Sequence, residues 1–372
     1  MKLHTNIPTR GEVSRLFANN DPASVSIYLP TDPTSNGQAE RIALKNLVSE
    51  ATRQLEEAGI PKRDIADIEA HFEDLAGDGQ FWKFQARTLA VFATPDSLVG
   101  YRLPNRLSEM VAVADRFHLK PLLRAITFPQ TALVLALSQK SSRLFEVLPE
   151  GSATEVDLPD LPQGVEDAAR IVHVDDRAPK GKTQSSAAEK SHLRIYSRTI
   201  DRVIRPLIAG RDVPLILAAA EPLDSIYRSV NTYPHLAEKS IAGNPDGLSE
   251  TEIASKAREI LDDLYARQLA DLHDLYEKRL AEGRAGNDIA NIARAATYGM
   301  VHTLLVDIDS VVPGFVHEDG SVEFAETDDG VAFGIVDEIA RRVWESRGTV
   351  LAVRREDVPG GGDVAAILRY SF

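Results

Sequence analysis

The stretch Thr131-Ala132-Leu133-Val134-Leu135-Ala136-Leu137 is the strongest apolar run in the chain, and the fold turns on the elements that come after it. A short aliphatic run of this kind suits a strand buried on both faces and is far too short to span a bilayer. Two further strand-like runs come after short breaks, residues 142–147 and 154–158. A polar stretch rich in Gly, Pro and Lys, residues 175–186, then interrupts the pattern. Helical spacing returns at 187–209, and an apolar strand reads at 213–219. Three strands, a loop, a helix and a fourth strand in this order fit a mixed sheet covered by helices. Ser249 and Glu252 form a capping box that opens a further helical region toward Glu282, as one long helix or two.

On the N-terminal side of this run, Val25, Ile27 and Leu29 alternate with polar residues, which predicts a strand over 24–29. Ile42, Leu44, Leu47, Val48, Ala51 and Leu55 recur at helical spacing until Gly59, and Pro61 suits the start of the next helix. Residues 88–94 and 98–103 read as paired strands around Pro95-Asp96. Beyond residue 283 the pattern is helix, strand, acidic excursion, helix, strand, glycine-rich turn and strand. The expectation is a mixed α/β (α+β) protein of three domains, 1–128, 129–282 and 283–372, the last a compact α/β sandwich.

Composition bounds the function. The 372 residues are 43% hydrophobic and 26% charged, ordinary for a globular protein with more than one core. The absence of cysteine excludes disulfides, thiolate metal sites and cysteine nucleophiles. No apolar stretch comes after Met1-Lys2-Leu3-His4-Thr5-Asn6, so neither a signal peptide nor a membrane partner is expected, and the compartment expected is the cytoplasm. A net charge of −14 repels nucleic acid at long range unless the basic residues cluster.

Most chemical motifs fail on spacing. Gly181-Lys182-Thr183 ends like a phosphate loop, but Asp176 stands where its first glycine belongs. Gly360-Gly361-Gly362 lies between strand-like runs and reads as a connection. His173, Asp175 and Asp176 have metal-ligand types without metal-ligand spacing, and Asp307 and Asp309 read as solvated acids at a strand end. No metal or other cofactor is expected, and no serine-nucleophile elbow is present. The acids from Glu318 to Asp329 read as a solvated loop.

One signal survives. Between Arg177 and Arg205 the chain places eight basic residues, Arg177, Lys180, Lys182, Lys190, Arg194, Arg198, Arg202 and Arg205, against the acids Glu189 and Asp201. Lys190, Arg194, Arg198 and Arg202 are spaced by four and form one stripe on a helix. Leu193, Ile200, Val203, Ile204 and Leu207, with Tyr196 beside them, face a neighbouring direction, so the helix can pack with its stripe in solvent. Such a stripe suits a phosphate backbone, and it suits equally a solvated face whose arginines pair with acids of the same protein.

Six further runs stand out: Val25-Ser26-Ile27-Tyr28-Leu29-Pro30, Leu44-Lys45-Asn46-Leu47, Phe117-His118-Leu119-Lys120-Pro121-Leu122-Leu123, Ala242-Gly243-Asn244-Pro245-Asp246, Gly299-Met300-Val301-His302-Thr303-Leu304-Leu305, and Val364-Ala365-Ala366-Ile367-Leu368-Arg369-Tyr370 after its glycine run. The last two are similar to the C-terminal part of release factor and Pelota proteins. With the upstream four, nearly the whole chain resembles the bacterial archaeo-eukaryotic release factors, within the release factor and Pelota superfamily. The resemblance implies a ribonuclease-H-like middle domain and a C-terminal domain similar to ribosomal proteins that bind kinked RNA. It implies a ribosome or tRNA as partner, with a translational GTPase as a further one.

In release factors the middle-domain loop carries Gly-Gly-Gln, which positions water against peptidyl-tRNA. Here the corresponding tip reads Lys182-Thr183-Gln184. Gln184 stands at the glutamine position, but both glycines are missing, and a β-branched threonine does not readily adopt glycine geometry. The leading expectation is a ribosome- or tRNA-associated factor, in rescue or quality control, with Arg177, Lys180, Lys182, Lys190, Arg194, Arg198 and Arg202 toward RNA. The alternatives are a hydrolase, acting on peptidyl-tRNA through Gln184 or as a metal-dependent nuclease through acids such as Asp175, and a stress-related protein-binding module.

Overall fold

The computed structural model describes residues 3–127, 130–168, 186–307, 310, 312–325 and 334–371. The chain divides into two compact units, one built from residues 1–4 and 129–264, the other from 5–128 and 265–372. Its class is the mixed α/β expected, with several sheets.

The first segment opens with α1 (Arg10–Phe17), capped by a Thr9/Glu12 box in which each residue accepts the other's backbone N–H. Its sheet is built from β1 (Ser24–Pro30), β2 (Thr88–Thr94), β3 (Ser97–Leu103) and β4 (Met110–Ala114), in the order β3-β2-β1-β4 and all antiparallel. Between β1 and β2 run α2 (Gln38–Glu57), α3 (Lys62–Gly77) and the short α4 (Gly79–Trp82). Leu44, Leu47, Ala51 and Leu55 of α2 and Ile65, Ile68 and Phe72 of α3 pack with Val25, Ile27 and Leu29.

The alternation read in β1 is real, but its polar side is buried too. Ser26 and Tyr28 are fully buried. The Tyr28 hydroxyl donates to the His118 carbonyl at 2.7 Å, and Ser26 Oγ accepts the His118 N–H at 2.9 Å. A strand covered on both sides needs such bonds, because an unpaired buried hydroxyl costs on the order of 1–3 kcal/mol. The segment ends in α5 (Lys120–Thr127).

The middle sheet is built from β5 (Ala132–Leu137), β6 (Ser142–Val147), β7 (Thr154–Glu155), β8 (Leu215–Ala219) and β9 (Ile241–Ala242), in the order β7-β6-β5-β8-β9. Only β6 runs against the others. This is the ribonuclease-H-like arrangement expected. Every residue of β5 and β8 is buried, as their unbroken apolar runs require. The strand predicted over 154–158 is only two residues long. Connecting and flanking helices are α6 (Ser186–Ile208), α7 (Leu223–Val230) and α8 (Glu250–Ala281). The Ser249/Glu252 box is formed, with Ser249 Oγ accepting the Glu252 N–H at 3.3 Å and the Glu252 carboxylate accepting the Ser249 N–H at 2.9 Å. The helix it starts is one continuous helix of 32 residues.

The last segment's sheet is built from β10 (Ala285–Gly286), β11 (Val301–Asp307), β14 (Thr349–Val353) and β15 (Val364–Leu368), in the order β10-β15-β11-β14. A separate hairpin joins β12 (Gly314–Val316) to β13 (Val322–Phe324). Tyr276 packs with Leu305, Val353, Ala365 and Ile367. Leu304, Val306, Ala366 and Leu368 pack instead with α9 (Ile289–Thr297) and α10 (Ile335–Glu345). Those helices share a core with Tyr28, Phe92 and Phe117 of the first segment, so the two flanking segments fold together as one unit.

Candidate nucleic-acid interface

The basic helix α6 is built as its periodicity demands. Leu193, Tyr196, Ile200, Ile204 and Leu207 are buried, and Val203 lies half-exposed at the edge of that face. Lys190, Arg194, Arg198 and Arg202 are exposed. At 1.5 Å per residue they span about 18 Å, the length of roughly five nucleotides along one strand. Among the described residues no carboxylate pairs with any of the four.

Arg205 differs. It is held by the buried Asp201 and donates to Thr232 Oγ1 at 2.7 Å. It borders a cleft of about 340 Å³ whose lining, Asp201, Arg205, Arg211, Asp212 and His235, mixes both signs. The stripe therefore ends at Arg202.

The helix is anchored where its stripe begins. The buried Tyr196 hydroxyl donates toward the carbonyls of Ser138 and Ser141, at 3.1 and 3.0 Å, in the turn between β5 and β6. Burial pushes its phenol well above the ordinary range, so it stays a donor at any physiological pH.

The same turn receives two other segments. Ser141 Oγ donates to Asp246 at 2.6 Å, and that bond holds the Asp246 carboxyl below its usual value. The Val165 N–H donates to the Gln139 carbonyl at 3.0 Å. Gly164 lies so close that a Cβ there would sit 2.9 Å from the Gln139 and Lys140 carbonyl oxygens. Gln139 Nε2 also reaches Glu189 at 3.5 Å, a long contact. Val165 and Glu189, on either side of the loop 175–186, thus both meet Gln139. Tyr196 was legible through its place in the apolar set, whereas nothing in the sequence marks Gln139 or Gly164.

Arg177, Lys180, Lys182 and Gln184 lie outside the described residues, as do His173, Asp175, Asp176 and Asp309. Asp307 is not the solvated acid expected. It is buried at the end of β11, with Arg355 Nη1 4.0 Å away. Among the described residues no three His, Asp or Glu side chains gather as metal ligands. Gly360 and Gly361 form a tight turn with φ of 84° and 66°, and a Cβ on Gly360 would strike Asn287 Nδ2 at 2.4 Å. That turn explains the glycine run without a phosphate.

A ribonuclease-H-like sheet carrying an exposed cationic helix, with no carboxylate partner for its stripe among the described residues, defines the class of this middle region. Residues 129–267 match the model of bacterial archaeo-eukaryotic release factor family 11. The resemblance read from the sequence is thereby shown, over the middle of the chain. Solved structures similar to this chain include ribosome-bound archaeal Pelota, in an assembly that also contains ABCE1, at 13% identity, 100% coverage of this chain, 96% of that one and a TM-score of 0.41. Dom34 of S. cerevisiae, a translation termination-like factor interacting with Hbs1, is similar at 12% identity over 75% of each chain, with a TM-score of 0.43. The archaeal termination factor aRF1 is similar at 14% identity over 98% of this chain and 99% of its own, with a TM-score of 0.24. No curated protein matches. Among the described residues no helix is long and apolar enough to cross a membrane.

Proposed function

We propose that this protein is a ribosome- or tRNA-associated factor of the translation machinery, acting in the cytoplasm in rescue or quality control. The observation that carries the reading is the run of four cations on α6, exposed and without carboxylate partners among the described residues, in a chain of net charge −14. A solvated helix in so acidic a protein would be expected to draw its arginines into ion pairs. No described carboxylate draws on these four, which leaves them to phosphates, whose counterions are released on binding. The loop cations Arg177, Lys180 and Lys182 would extend the same track, and a translational GTPase is the further partner this reading entails. Gln184 is the candidate catalytic group, but without its two glycines the role proposed is binding rather than peptide release.

Co-sedimentation with ribosomes at two salt concentrations tests this. Four phosphate contacts give a log–log salt slope of roughly −3, so raising salt fourfold should weaken binding on the order of 50-fold. Reversing Arg194, Arg198 and Arg202 to Glu should abolish co-sedimentation. Binding that survives this reversal, or that ignores salt, sinks the proposal. Peptide release from loaded ribosomes, lost on Gln184→Ala, would replace it with a hydrolase.

A further inference from the structure

Two helices of the last segment end side by side in the same kind of turn. At the end of α9 the Gly299 N–H donates to the Ala296 carbonyl and the Met300 N–H to that of Ala295, at 3.0 and 2.8 Å. At the end of α10 the Arg347 N–H donates to the Trp344 carbonyl and the Gly348 N–H to that of Val343, at 2.9 and 2.8 Å. Both are Schellman turns, whose central residue must take a left-handed backbone. Gly299 does so at φ 67°, as glycine readily can. Arg347 does so at φ 62°, the one non-glycine residue with positive φ among the described residues. A strained position occupied by a residue that gains nothing locally points to a use for its side chain. Arg347 is exposed and has no ion pair among the described residues.

Arg369 ties the two turns together. Its guanidinium donates to the Gly299 carbonyl at 2.8 Å and to the Ser346 carbonyl at 2.9 Å, and its backbone N–H donates to the Met300 carbonyl at 2.8 Å. This bond set brings Tyr298, Arg347 and Tyr370 to one end of the β10-β15-β11-β14 sheet. Tyr298 and Tyr370 are 68% and 66% exposed, the two most exposed aromatic residues among the described large hydrophobics. Two acids close in sequence to these turns and to Arg284 are already occupied: Glu345 by Arg341 at 2.5 Å, and Glu282 by Arg279 and Arg284 at 2.7 and 3.5 Å. Two exposed tyrosines at the same end of a sheet as a cation without an ion pair among the described residues are the chemistry on which unstacked bases lie while a guanidinium meets the backbone.

We propose that Tyr298, Arg347 and Tyr370 form a binding platform for single-stranded nucleic acid. It is separate from the α6 stripe and does not depend on it. The platform takes splayed bases, by stacking, with little sequence preference.

The test uses the full chain and a fluorescein-labelled single-stranded oligouridine of about 12 nucleotides, within the span such sites cover. Fluorescence anisotropy should show binding that falls about tenfold with Tyr298→Ala and again with Tyr370→Ala. Phe at either position, which keeps the ring, should bind as the parent does. Arg347→Gly, which keeps the turn, should weaken binding and flatten the salt slope by about one. The same tyrosine dependence should persist when Arg194, Arg198 and Arg202 are all Glu, so failure of the stripe and failure of the platform are told apart. No binding by the parent, or alanine variants that bind equally, overturns the proposal. So does a concentration-dependent self-association lost in the same variants, which would make the patch a contact between copies of this chain.

Discussion

Helices α6 and α10 both carry arginines at close spacing, and the structure treats them in opposite ways. On α10, Arg341 and Arg342 sit three and four residues after Glu338 and are locked to it at 2.6 and 2.7 Å. Glu338 also holds Arg116 at 2.9 Å, and Glu345 takes the other side of Arg341. On α6, the residue four before each arginine of the stripe is another cation, so Lys190, Arg194, Arg198 and Arg202 repel one another. Each such pair costs roughly 0.2–0.5 kcal/mol in an isolated helix. One helix uses its cations to hold itself down, whereas the other carries them at a net expense that no carboxylate among the described residues offsets. What separates the two is the residue one turn earlier and the burial around it, since the number of arginines alone does not.

Three substitutions probe this contrast between the helices. The largest effect is expected on α10. Glu338→Ala leaves three arginines without their common partner in a half-buried setting. It should destabilise the unit by about 2 kcal/mol in denaturant unfolding, between the exposed and fully buried regimes. Burial alone would raise the Glu338 carboxyl, but the hydrogen bonds of Arg341 and Arg342 outweigh it and hold it below its usual range. A lowered folded-state value means stability present above the unfolded carboxyl range and lost as pH falls through the folded value. The parent should therefore lose stability under acid that Glu338→Ala has already lost. If both unfold along the same pH curve, α10 is not held by this pair.

A smaller loss is expected on α6. Tyr196→Phe removes the hydroxyl that faces Ser138 and Ser141 and leaves their carbonyls one donor short. A loss of about 1 kcal/mol is expected. Hydrogen exchange should quicken in the first turns of α6 before it does elsewhere in the middle unit. Unchanged protection would mean that the apolar face alone carries the helix.

The smallest effect has the opposite sign. Arg198→Gln removes two repulsive pairs, those with Arg194 and Arg202, each worth roughly 0.2–0.5 kcal/mol. It should stabilise the helix by about 0.5 kcal/mol while weakening ribosome binding. A variant that is both less stable and less active would mean that α6 is shaped for packing and not for an anion.

Much of the fold was legible. The buried β5 and β8 announce themselves as unbroken apolar runs, and the Ser249/Glu252 box marks the start of α8, although periodicity could not say where that helix would stop. Less was legible in the short elements. Helix α1 has only eight residues, and β4 runs Met110–Ala114 with every residue half-buried, so neither period has room to show. Helix α5 begins at Lys120-Pro121, a dipeptide that reads more readily as a turn. The hairpin of β12 and β13 lies in a stretch dominated by acids, where charge hides the strand pattern.

The α6 stripe and its apolar face were already settled in the chain, because a helix converts a spacing of four into a surface without help from distant residues. So was the order of β5, β6, β7, α6 and β8, whereas α7 and β9 were too short to be read. Which cations are free was settled only by the folded molecule. Arg205 belongs to the same basic segment as its neighbours, yet a buried Asp201 claims it. Asp307 reads as a strand-end acid and is buried beside Arg355. Tyr298, Arg347 and Tyr370 are far apart in the chain, and the turns that carry Tyr298 and Arg347 are joined to the strand end before Tyr370 by Arg369, which bonds both helix ends at once. Local spacing is written along the chain, whereas ion pairs, burial and shared turns depend on residues far apart in it, and no periodicity records those.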